Sequence, residues 1–139
     1  MYHDLTYGHK GNAPFAFLEA AGQVTGLPPA HQLHFLLWSD PNTRDSENNP
    51  GNGLFSWAPD QEISPDSDGC WKLPPSTLSY SRAQGLSFRF HVVALPASQR
   101  PCLEDVYEIG EKDKDLRAHQ LTACGLTFLD HVKITTKRL

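Results

Sequence analysis

The chain has 139 residues, of which 39% are hydrophobic, 10% aromatic and 20% charged, and its formal net charge is −4. That is too apolar and aromatic for a disordered chain, and the length suits a single core spanning residues 1–139 that buries roughly two-thirds of the unfolded surface. No run approaches the roughly 18 apolar residues of a spanning helix, and an acidic balance gives no footprint for nucleic acid or an anionic membrane surface. The expectation is a soluble globular domain with no membrane span and no nucleic-acid partner.

The opening MYHDLTYGHK has no charged leader followed by an apolar stretch, so no signal peptide is expected. Pro14–Glu19 then reads as a strand. The wider APFAFLEAAGQVTG admits two helical turns stopped by Gly26 and Pro28-Pro29, but Gly22, Val24 and Thr25 disfavour a helix. Strands are predicted over His31–Trp38 and Gly53–Trp57, with SDPNTRDSENNPGNG as the long loop between them. A second break at Asp60–Asp68 precedes a short strand at Cys70–Leu73.

The clearest strand is Leu86–Leu95. Leu86, Phe88, Phe90, Val92 and Ala94 fall on one face and Ser87, Arg89 and His91 on the other, the alternation of a half-buried strand. Val106–Ile109, Leu121–Phe128 and Val132–Thr136 complete eight candidates. Glu111–Gln120, with good helix formers and charges of alternating sign, predicts a short surface helix. Ten glycines and eleven prolines punctuate these segments. The rhythm is all-β: an antiparallel β-sandwich or jelly roll with long acidic loops and at most one or two short helices.

Seven of the sixteen acidic residues lie between Asp40 and Asp68, against one basic residue, Arg44. Asp40, Asn42, Asp45 and Glu47 on one loop, with Asp66 and Asp68 on the next, have the oxygen chemistry that calcium takes. Read as an EF-hand loop from Asp40, however, position six is Asp45 instead of Gly, and position twelve is Gly51 instead of Glu, so that motif fails. The competing explanation is turn chemistry, in which Asp, Asn, Ser, Gly and Pro bond their own backbone or accept left-handed dihedrals. No cofactor is expected on this reading, with calcium as the alternative.

Seven histidines are many for this length. On a strand, His31 and His34 point to opposite faces, so only one can line a given pocket. His34 facing His91 from a neighbouring strand is the remaining route to a transition-metal site. Three cysteines, without CxxC spacing, read most simply as reduced thiols in a cytoplasmic or other reducing compartment, with one disulfide plus one free thiol as the alternative. Cys124 reads as packing in an apolar strand and Cys102 as a loop thiol. Cys70 lies beside acids that suppress its thiolate. Neither a nucleophile elbow nor a Gly-rich phosphate loop occurs.

Trp38, Trp57 and Trp71 flank the acidic loops. Converging loops would make them a platform for stacking a sugar or anchoring a protein, whereas separate burial would make them core caps. The sequence therefore points first to a non-enzymatic interaction or assembly module with a protein partner or a second copy of itself. A calcium- or carbohydrate-dependent ligand-binding domain comes second, and a small histidine metalloenzyme third.

Overall fold

The protein is described here by a computed structural model covering residues 2–12, 15–45, 47–59, 62–79, 85–109 and 115–135. Its strands are β1 (Tyr2–Asn12), β2 (Phe15–Thr25), β3 (His31–Ser39), β4 (Phe55–Trp57), β5 (Cys70–Ser79), β6 (Ser87–Pro96) and β7 (Thr127–Thr135). Two short helices, α1 (Arg100–Glu108) and α2 (Ala118–Ala123), lie in the connection from β6 to β7. The strands form two antiparallel sheets, ordered β1-β2-β5 and β4-β3-β6-β7. The chain crosses between them from β2 to β3, from β4 to β5 and from β5 to β6. The fold is mostly β and sandwich-like.

Strand alternation builds two apolar layers. Leu33 and Phe35 of β3 with Phe90, Val92 and Ala94 of β6 face the three-stranded sheet, where Ala20, Val24, Trp71 and Leu73 meet them. The alternate residues, Leu36 of β3 and Val93 and Leu95 of β6, face the other way, into a second layer with Leu103, Leu116, Leu121 and Leu126. Along Phe90–Leu95 the four-stranded sheet is thus covered on both faces, and that part of β6 is buried on both sides instead of half-buried as its pattern suggests. His91 belongs to that second face and is only 9% exposed.

The helical layer replaces two expected strands. Pro101 in the first turn of α1 costs no intrahelical hydrogen bond, and Leu103, Val106 and Tyr107 then fall on one helical face against the second apolar layer. The apparent strand Val106–Ile109 was a four-residue glimpse of that helix, and Ile109 is 80% exposed. Leu121–Phe128 divides at Gly125, which takes φ +80°. Leu126 N–H donates to Leu121 O and Gly125 N–H to Thr122 O, the double closure of a Schellman stop. Its hydrophobic partners Leu121 and Leu126 are both buried. Of the helix expected over Glu111–Gln120, the segment 118–120 is helical, 115–117 is not, and 111–114 lie outside the described residues.

Cys102 in α1 and Cys124 at the end of α2 are joined by a disulfide, and Cys70 is a free, exposed thiol. The alternative of one disulfide plus one free thiol therefore replaces that of three reduced thiols. Neither Cys124 in a strand nor Cys102 in a loop survives. Among the described residues, no helix is long and apolar enough to cross a membrane.

At the other end of the chain, β2 continues to Thr25, so the segment containing Gly22, Val24 and Thr25 is strand and not helix. Its partner β1, unexpected from the sequence, pairs with it from Tyr2↔Thr25 to Asn12↔Phe15. Pro14 lies outside the described residues. On the opposite side of β2, strand β5 runs on past Leu73 to Ser79. There Ala20 pairs with Leu73 and Leu18 with Ser76, so Pro74 and Pro75 together face Glu19 in a bulge.

Candidate functional site

The two acidic loops sit at opposite ends of the sandwich. The first leaves β3 at Ser39 and is fastened to the start of β6: Asp40 N–H donates to Ser87 O, and Ser87 N–H to Thr43 Oγ1 at 3.0 Å. The second, ending at Gly69, is fastened to the far end of β2, where Val24 N–H donates to Gly69 O at 2.9 Å. A five-residue connector places that end of β2 beside the start of β3, and the nine residues of β3 span about 26 Å. The 66–69 turn does not fold over the 40–53 loop.

Within each loop the carboxylates bind their own backbone. Asp40 Oδ1 accepts from Asn42 N–H, and Asp45 Oδ1 from the N–H groups of Glu47 and Asn49. Asp66 Oδ1 accepts from Asp68 N–H and Cys70 N–H. Glycine is required at both anchors: a Cβ on Gly51 would strike Asp40 O, and one on Gly69, at φ +80°, would strike Val24 O. Asp40, Asn42, Asp45 and Glu47 thus share one loop, and Asp66 and Asp68 another, each built by turn chemistry.

The tryptophans are also dispersed. Trp71 is buried between the sheets, and Trp57 lies in the second layer with its ring edge-on to Tyr107 of α1. Trp38 is half-buried, and its Nε1 donates to Gly53 O at 3.0 Å. His34 and His91 share the outer face of the four-stranded sheet but occupy diagonal positions, since His34 pairs with Val93 and Leu36 with His91.

His34 is engaged at both nitrogens. Trp57 Nε1, which can only donate, points to His34 Nδ1 at 3.4 Å, leaving the proton on Nε2 to bond Gln32 Oε1 at 3.0 Å. Burial first, and then Arg100, lower its pKa to about 4. Burial likewise lowers His91 to about 4, followed by the effects of His131 and Arg89. The histidine ring that meets His91 is that of His131, 5.0 Å away on β7, and the rings of Phe55 and Phe128 pack edge-on against it as well. Among the described residues, no three His, Cys, Asp or Glu side chains are grouped to hold a metal ion.

What the strands do assemble is a groove of about 570 Å³ on the outer face, lined by Trp38, Leu54, Phe55, Arg89, Arg117 and His119, with His91 in its wall. The helical layer closes that face near Val93 and Leu95 but leaves its other end uncovered. Pairing puts Phe55, Trp38, Arg89 and Lys133 in one row across β4, β3, β6 and β7. Directly opposed residues share a face, so the row carries two aromatics and two cations. Arg89 lies over the Trp38 ring, 4.5 Å from its centre. Among the described residues, Arg89 has neither a hydrogen bond nor a carboxylate partner.

Sequence reasoning singled out Trp38 for a tryptophan platform and His91 for a histidine pair, but did not bring them together or join them to Arg89, Arg117, His119 and His131. A signal was present in two i, i+2 pairs, Arg89 with His91 and His131 with Lys133. Each pair falls on one face of its strand, and antiparallel pairing sets them against each other. Comparison with protein-family models, with curated proteins and with solved structures finds no match to this chain.

Proposed function

We propose that the protein is a non-enzymatic binding module that engages a protein partner through the uncovered end of its four-stranded sheet. The observation that supports this reading is the groove between Trp38, Phe55, Arg89 and Arg117, set on strands whose opposite face is packed. Exposed cations beside aromatic side chains on a rigid floor are the composition that anchors partner residues. The disulfide joining α1 to α2 weighs towards an oxidising compartment.

Affinity capture with the wild-type chain, compared with Trp38→Ala and a distant control at exposed Asp68, tests the reading. A partner retained by wild type and the control but lost by Trp38→Ala supports it. A partner captured equally by all three overturns the assignment to this groove.

A further inference from the structure

Resting on that reading, we infer that the groove takes a short acidic peptide segment of the partner, with carboxylates flanking an apolar or aromatic side chain. The polarity of the site carries the inference. The chain is acidic overall, yet the described lining of the groove holds Arg89, Arg117 and His119 and no Asp or Glu. Lys133, exposed and directly opposite Arg89, extends the cationic row. Asp115, next to Leu116 where that residue bridges Phe55, accepts from Asn52 Nδ2 at 2.8 Å and Ser56 Oγ at 3.2 Å.

Arg89 is held in place by its stacking on Trp38 while its N–H groups lack a carboxylate partner among the described residues, so a bidentate acceptor can be added without breaking an existing bond. The apolar part of the ligand meets Trp38 and Leu54, beside the largely buried Phe55.

The size of the row decides between polyanions. Four adjacent strands place Phe55 and Lys133 about 14 Å apart, the reach of four or five extended residues. Asp40, Asp45 and Glu47 lie on the loop at this end of the sheet, where they repel any long anion that overruns the row. A nucleic-acid strand gains affinity by neutralising many successive phosphates, which this short row does not offer. A peptide carrying two or three carboxylates matches it.

The test is fluorescence anisotropy with a labelled decapeptide bearing Glu and Asp around one central Trp. Its Gln/Asn counterpart and a labelled oligothymidylate serve as comparison probes. The acidic peptide should bind wild type, weaken by about tenfold or more in Arg89→Gln and in Lys133→Gln, and weaken further as salt is raised. Thermal melting verifies that both exposed-site variants fold.

Equal binding of the neutral peptide, or tighter binding of the oligothymidylate, overturns the inference. So does unchanged acidic-peptide binding in both variants, or no binding of that peptide at all. Partner capture lost in Trp38→Ala but intact in Arg89→Gln and Lys133→Gln would refute the acidic ligand and leave the binding groove standing. Capture indifferent to all three substitutions removes both.

Discussion

The outer face of the four-stranded sheet is finished differently at its two ends. Towards the start of β3, Leu36, Val93 and Leu95 are fully buried in one apolar layer with Leu103 and Leu121. Towards the end of β3, the same strands present Trp38, Arg89 and Lys133, and Arg89 and Lys133 are exposed. The change occurs within β6, between Arg89 and His91, over one step of the side-chain alternation. A continuous pair of strands is therefore core at one end and exposed cationic surface at the other, and the helical layer covers the part where Leu36, Val93 and Leu95 point outward.

The largest effect should come from opening the sealed end. Leu103→Ala removes a fully buried side chain from the helical layer and should cost about 3 to 4 kcal/mol in urea unfolding. A loss under about 1 kcal/mol would show that the layer is not packed on the sheet. Replacing both Cys102 and Cys124 by serine releases the bond between α1 and α2, and a sequence separation of 22 predicts a loss of about 3 kcal/mol. An unchanged melting temperature would mean that the helices are seated by packing alone.

Acid should act on the boundary between the two ends. His34 and His91 have folded pKa values lowered to about 4, against 6.5 for the free side chain. The unfolded chain binds more protons between those values, so their contribution is intact above about pH 6.5 and is lost as pH falls towards 4. Roughly 1 to 2 kcal/mol per histidine should disappear between about pH 7 and pH 4.5. His91→Phe should flatten that part of the stability profile; an unaltered profile would show that His91 does not contribute to it. Smallest of all, Arg89→Ala should change stability by less than about 0.5 kcal/mol, because an exposed side chain is removed from an uncovered surface. A larger loss would make Arg89 part of the fold and erase the contrast between the ends.

Much of the strand framework was legible because alternation reports directly on pleated structure. Leu33, Phe35, Phe90, Val92 and Ala94 advertise the inter-sheet core. The opposite face of β6 was harder to read, since Val93 and Leu95 look like breaks in alternation until a second layer is known to cover them. The helices were obscured by short windows: Leu103, Val106 and Tyr107 are separated by helical steps, but Val106–Ile109 alone resembles a strand. Gly125, placed between Leu121 and Leu126, was the stop signal within the second misread segment. The acidic loops were visible as turns, while their placement at opposite ends depends on which sheet each strand joins. No local pattern encodes that. The groove was missed for the same reason, as its row draws single residues from four strands.

The proline pair in β5 limits how the molecule can associate. β5 is an edge strand, and at Pro74 and Pro75 its backbone lacks two successive N–H donors while the bulge bends it away from regular pairing. An incoming strand cannot extend a continuous ladder along that edge. On the other sheet, β4 offers only three residues as an edge. Sheet extension is therefore interrupted at Pro74 and Pro75 along β5 and curtailed along β4, so these two edges are poor templates for edge-to-edge pairing.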